Sequence, residues 1–152
     1  PPHYANLAGP PSLDSCTRDV YAPGLQIPTA AVLSVARDMS AAVAHLHQRG
    51  VMHGDLYAHN ILWNPADGQA LLSDFGGATL LPLDQPDLSR SMLALEVRAF
   101  GCLLDELVAH AEPDAGQVAS LADVYALAQA CLSAKPLERP SMADVANALA
   151  RC

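Results

Sequence analysis

The apolar positions of this chain carry no rhythm at first and then switch to a helical one at Thr29. Residues 1–28 hold six prolines and little periodicity, so they read as loop and connection. From there Val32, Ala36, Met39, Val43 and Leu46 recur at spacings of four and three, which places them on one face of a long helix. Gly50 stands just past its end as a C-cap, where glycine takes the left-handed conformation at little cost. Two short apolar runs follow, Ile61-Leu62-Trp63 and Ala70-Leu71-Leu72, split by Asn64-Pro65-Ala66-Asp67-Gly68. Turn residues between such runs predict a small β-hairpin. After Gly76-Gly77 an irregular stretch carries Pro82, Asp84, Pro86 and Asp87, and helical spacing resumes with Val97, Phe100, Leu104, Leu107 and Val108. A further helix is predicted through Leu121, Val124, Ala128, Cys131 and Leu132. A last one starts at Ser141, where Ser-Met-Ala-Asp nearly matches a capping box. The fold class is mainly α, α+β overall: a helical lobe with one hairpin at its edge.

Composition narrows the picture. The chain has 152 residues, enough for one domain with a real core. With 51% hydrophobic and 16% charged residues it belongs among folded globular chains. A net charge of −8 argues against a nucleic-acid surface. No apolar run reaches membrane-spanning length and the start lacks a basic signal region, so a membrane is not an expected partner either. Cys16, Cys102, Cys131 and Cys152 are scattered with no C-x-x-C pair. That spacing fits free thiols in a reducing cytoplasm. The chain opens Pro1-Pro2 without a methionine and reads as a fragment.

The chemistry lies in residues 53–60, His-Gly-Asp-Leu-Tyr-Ala-His-Asn, and in Asp74-Phe75-Gly76, which begins 19 positions after Asp55 (74 − 55). A carboxylate, an amide five residues later and a second carboxylate before a glycine form an oxygen set suited to a metal-bound phosphate. The hairpin between them would return the chain so that Asp74 faces Asp55.

These two stretches resemble the H-R-D-L-x-x-x-N and D-F-G signatures of the protein kinase family. Leu46-His47 with Gly50-Val51-Met52-His53 is similar to that family's approach to its catalytic loop. Phe100-Gly101 with Leu103-Leu104 and Glu106-Leu107 is similar to the central helix of its large lobe, and Cys131-Leu132 with Pro136 and Arg139-Pro140-Ser141 to the lobe's last helices. The resemblance covers Thr29 to the end. It implies a large C-terminal kinase lobe, bacterial in style, over 29–152, with 1–28 as a proline-rich connection after a small lobe that is not in this chain. It further implies Asp55 as the catalytic base toward an acceptor hydroxyl, Asn60 and Asp74 as Mg²⁺ ligands, Asp74 and Leu62 at ATP, and His53, Phe75 and Gly76 as structural members of the loops. ATP and Mg²⁺ are the implied cofactors, and a protein or small-molecule hydroxyl is the implied acceptor.

The chain departs from that pattern in four places. Gly54 stands where the family has arginine, which removes a receptor for a phosphorylated loop. Tyr57 stands where serine/threonine kinases place a lysine. Ala94-Leu95-Glu96 runs straight into Val97-Arg98-Ala99-Phe100-Gly101 with no separate A-P-E motif, and Glu96 is expected to pair with Arg139. Only Glu112 to Gln117 join two helices where the family often has another. No glycine-rich loop and no V-A-I-K-like lysine are present. The leading reading is therefore a protein kinase lobe of serine/threonine type, weak or inactive alone. A small-molecule or atypical kinase with an H-G-D-L-x-x-x-N loop and a non-catalytic pseudokinase module remain the alternatives. His45 and His47, two apart on a helix, share no face and carry no expected metal role.

Overall fold

The apolar face that starts at Thr29 becomes helix α1 (Thr29–Gln48), with Val32, Val35, Ala36, Met39 and Val43 buried along it. It ends where the N–H groups of Arg49 and Gly50 reach back to the carbonyls of Leu46 and His47, with Gly50 at φ 71°. The computed structural model describes residues 3–15, 18–112 and 114–152. In chain order the strands are β1 (Ala5–Asn6), β2 (Val51–Met52), β3 (Ile61–Trp63), β4 (Ala70–Leu72) and β5 (Thr79–Leu80). The later helices are α2 (Pro86–Ala109), α3 (Val118–Cys131) and α4 (Met142–Leu149). The architecture is a helical lobe with two small sheets among the described residues.

The hairpin is β3 against β4, antiparallel, with Ile61 opposite Leu72, Leu62 opposite Leu71 and Trp63 opposite Ala70. Alternation along the strands turns Ile61, Trp63 and Ala70 into the core and leaves Leu62 half-buried and Leu71 exposed on the outer face. Gly68 closes the turn at φ 73°, and any side chain there would strike Ala31 of α1. The amide of Ala70 donates to Asp38 Oδ2 at 2.9 Å, which fixes the hairpin to the same helix.

The described residues of this first stretch are largely loop, anchored at several points. Ala5–Asn6 adds β1 to the outer edge of β3, making a three-stranded sheet. Leu7, Ala8 and Ile27 join the core. Ile27 also exchanges backbone bonds with His110 and Glu112, accepting from the Glu112 amide and donating to the His110 carbonyl. Prolines mask these anchors in the sequence, because strands of two residues leave no period to read. Pro1 and Pro2 lie outside the described residues.

Helix α2 also starts earlier than its apolar spacing suggested. Pro86 takes the first helical position, where its lack of an N–H costs nothing, and Asp87 adds a favourable charge in the first turn. The helix therefore runs unbroken through Ala94–Glu96. Its inner face buries Phe100, Leu103, Leu104 and Leu107 completely. At about 1.5–3 kcal/mol for each such side chain, that face outweighs propensity differences along the helix. Helix α4 begins with a full capping box: Ser141 Oγ accepts from the Asp144 amide while the Asp144 carboxylate accepts from the Ser141 amide. Among the described residues no helix is long and apolar enough to cross a membrane. Cys102, Cys131 and Cys152 are free thiols, burial pushing the Cys131 thiol up to about 11, and Cys16 lies outside the described residues.

Helices α2 and α3 approach each other at Gly101. A Cβ there would lie 2.7 Å from the Cβ of Cys131 and 3.2 Å from the Ala128 carbonyl oxygen. Alanine gains about 1 kcal/mol of helix propensity over glycine, but overpacking against two fixed atoms costs about 1–3 kcal/mol, so the crowding prevails. Gly101→Ala should therefore lower the midpoint of urea unfolding. An unchanged or higher midpoint would show that the two helices separate at no cost.

Candidate active site

Strand β2 leads into His53 and strand β5 follows Gly77, and the two pair antiparallel, Val51 with Leu80 and Met52 with Thr79. This second sheet, in addition to the hairpin, brings the 53–60 loop beside the 74–77 loop. Its strands are too short for any sequence pattern to betray. The two loops touch through glycines. Gly54 sits at φ 80°, and a side chain on it would run into the carbonyl oxygen of Gly77. A Cβ on Gly77 would come within 3.2 Å of Asp55 Cβ. Gly54 is thus a steric requirement of this pair of loops as well as the loss of an arginine.

Within the first loop, Asn60 is 5% exposed and donates its amide twice, to the Asp55 carboxylate at 2.8 Å and to the Asp55 carbonyl at 2.9 Å. Both amide hydrogens are consumed, so Asn60 Oδ1 is left as an acceptor. His53 is fully buried and joins the two loops. Its Nδ1 accepts from the Asp55 amide at 3.3 Å, which leaves Nε2–H to donate to the Ser73 carbonyl at 3.0 Å. Ser73 in turn donates its amide and its hydroxyl to the Asn60 carbonyl. Asp74 takes the left-handed conformation, φ 55° and ψ 77°, and its Oδ1 accepts from the Gly76 amide at 3.1 Å. A non-glycine residue rarely adopts that conformation, and aspartate tolerates it through such a local bond. Phe75 packs edge-on against His53 with centroids 4.9 Å apart, and half of it remains exposed. Asp55, Asn60, Asp74, His53, Phe75 and Gly76 therefore come together. Leu62 lies next door on the outer face of the hairpin.

Glu96 and Arg139 do not pair. Glu96, 2% exposed on α2, accepts from the amides of Gly54 at 2.7 Å and His53 at 3.1 Å and contacts His47 Nε2 at 2.8 Å. Arg139 instead donates to the carbonyls of Ser133 and Ala94. The physical reason is the unbroken α2: it aims Glu96 at the loop, where orphan amides compete for it, and leaves the Ala94 carbonyl toward Arg139. Burial works to raise the Glu96 pKa, but the bonds from His47, Gly54 and His53 outweigh it and hold the carboxyl below its usual range. His47 thus acts as a structural partner of the loop, a role that no spacing rule would have singled out.

Sequence reasoning also missed Asp19. It is 6% exposed, and its carboxylate accepts from the amides of Ala58 at 3.0 Å and His59 at 2.9 Å, with His59 Nδ1 at 2.6 Å. It thereby caps the 3-10 turn Ala58–Asn60 that presents Asn60. Beside it Arg18 lays its guanidinium 4.5 Å over the Tyr57 ring and donates to the Leu56 carbonyl. Tyr21 donates to Glu106 at 3.0 Å, and burial followed by Glu106 drives its hydroxyl pKa far up. A lone aspartate in a proline-rich stretch carries no sequence signal of such a role.

Two variants test this wiring. Because the folded pKa of Glu96 is depressed, its contribution is complete above the usual glutamate range and fades as pH falls through the folded value. Glu96→Gln should lose about 2 kcal/mol at neutral pH and show a flatter fall in stability below about pH 4.3. Parallel curves for the two proteins would refute the assignment. Gly54→Arg, although it restores the residue usual in kinases, should destabilise the chain by more than about 1 kcal/mol in thermal or urea unfolding. A neutral result would mean that the two loops are free to part.

Comparison with known proteins agrees with this geometry. The protein kinase domain model matches residues 13–94, more than half of the chain. Cyclin-dependent kinase B2-1 of Arabidopsis thaliana is 30% identical over 87 residues, covering 57% of this chain and 28% of the relative. The serine/threonine-protein kinase AtPK1/AtPK6 of the same plant is 49% identical over 39 residues, covering 26% of this chain and 8% of the relative. A solved structure described as a divergent kinase lacking the glycine-rich loop, which regulates membrane ultrastructure of the Toxoplasma parasitophorous vacuole, superposes with a TM-score of 0.60 at 22% identity. It covers 75% of this chain and 40% of that one. The chain spans under a third of the length of these curated relatives. With the family model over more than half of the chain and the 53–60 and 74–77 loops side by side on a lobe of this fold, the chain belongs to the protein kinase family.

Proposed function

We propose that this lobe carries the catalytic loop of an ATP-dependent protein kinase of serine/threonine type. In this reading Asp55 takes the proton of an acceptor hydroxyl as the γ-phosphate is transferred. The observation that supports it most is the pinned Asp55–Asn60 pair, because a residue kept only for packing has no need of a carboxylate held at 2.8 Å by a neighbour's amide. Asn60 consumes both its N–H donors on Asp55 and offers Oδ1, and Asp74 engages one carboxylate oxygen on its own loop. Two carboxylates and an amide oxygen are the hard donors that Mg²⁺ takes alongside phosphate oxygens and water. Bound there, the ion would supply charge neutralisation at the phosphates. The chain's own part is positional: Glu96 and Asp19 hold the loop from two sides, and His53 sets the spacing of the second loop. The outer face of Leu62 and Leu71 would receive adenine and an ATP-cradling lobe of a longer protein. The acceptor would be a protein hydroxyl.

One observation favours a small-molecule acceptor as second reading. Only residues 81–85 separate β5 from α2, so little chain is available beside the site to seat a peptide.

Transfer of labelled γ-phosphate by the full-length protein that carries this lobe tests the reading. Label should enter protein, and Asp55→Asn and Asp74→Asn should each reduce transfer by at least about a hundredfold. Label in a small molecule would select the second reading, and no transfer despite Mg-ATP binding would select a pseudokinase. On the lobe alone, Mn²⁺ should broaden the NMR signals of Asn60 and Asp74. Asp74→Asn should abolish that broadening.

A further inference from the structure

Away from the loops, a cavity of about 370 Å³ opens between the C-terminal half of α1, the first half of α2 and the 136–143 segment. Its walls are apolar, with Ala44, Leu93, Val97 and Met142 among them, and Leu137 stands 71% exposed at its edge. A space of this size and lining is typical of a small-molecule site rather than of a packing fault. Arg90, Arg139 and His47 also line it, and no aspartate or glutamate does. That bias is unexpected in a chain with 16 acidic residues and only 8 lysines and arginines. Among the described residues Arg90 makes no ion pair, and Arg139 binds only the neutral carbonyls of Ser133 and Ala94. Two guanidinium groups beside an apolar cavity, neither with a carboxylate partner, define the complement of a small apolar anion.

We propose that this cavity binds a small apolar monocarboxylate, its hydrocarbon part against Leu93, Val97 and Met142 and its carboxylate on Arg90 and Arg139. The site reports to the catalytic loop. His47 lines the cavity and holds Glu96, and Glu96 holds the amides of His53 and Gly54. A ligand seated against His47 therefore bears on the bond between His47 and Glu96. The binding site stands whether or not the lobe transfers phosphate, since it uses none of Asp55, Asn60 or Asp74.

Titration of the chain with octanoate, octan-1-ol and octylamine, followed by amide NMR shifts, tests the proposal. Octanoate should bind at least about tenfold more tightly than octanol, the worth of one charge-assisted contact, and octylamine should not bind. Saturation with octanoate should shift the amides of His53 and Gly54. Arg90→Ala should erase the preference for octanoate over octanol, and Ala143→Trp, which fills the cavity from an exposed position, should abolish binding of both. Thermal melts of the two variants would confirm that each is folded. Equal binding of octanoate and octanol to the unaltered chain, unchanged octanoate binding by folded Arg90→Ala, or no octanoate binding at millimolar concentration would each overturn it. Binding without movement of the His53 and Gly54 amides would remove the link to the loop.

Discussion

A single buried carboxylate carries the architecture of the candidate site. A loop has no regular ladder for its amides, and a buried unpaired N–H costs about as much as a lost hydrogen bond. The turn at His53–Gly54 points two such amides at helix α2, and Glu96 receives both. Because it does so as an anion, it also needs a donor to share its burial, and His47 on α1 supplies one. Helix α1, the turn that follows it and the distant α2 thus meet at one side chain. The left-handed Asp74, the glycine contact and the Asp55–Asn60 pair all presuppose a loop already fixed there.

A second carboxylate does the same from the other side. Asp19 holds the amides of Ala58 and His59, so the loop is gripped at its start by Glu96 and near its end by Asp19. Asn60 follows immediately and inherits a defined position. Catalysis of phosphate transfer depends on placement more than on unusual reactivity, and this arrangement spends two buried acids on placement alone.

The long periodic elements were legible from the sequence. Helix α1 starts at Thr29 as expected, and the hairpin strands match their predicted bounds, because burial of one face imposes the period that was read. The Asp55, Asn60 and Asp74 set was legible as a motif, and the loops that carry it touch at Gly54 and Gly77. What stayed hidden was short or long-range. Strands β1, β2 and β5 have two residues each, which is below any period. Asp19 and His47 act through backbone amides and a partner tens of residues away. Glu96 is visible in the sequence but its partners are not, since a sequence shows which residue is acidic and not which way a helix turns it.

Helix α2 is the common reference for everything around it. Glu96 on it holds the loop, and ten positions later Glu106 contacts Arg18 and receives Tyr21 from the strap that carries Asp19. One residue added or removed between them would rotate one acid by about 100° relative to the other. Both grips could then not be kept. The spacing of Glu96 and Glu106 along the helix is therefore set by contacts that lie on two different stretches of the chain.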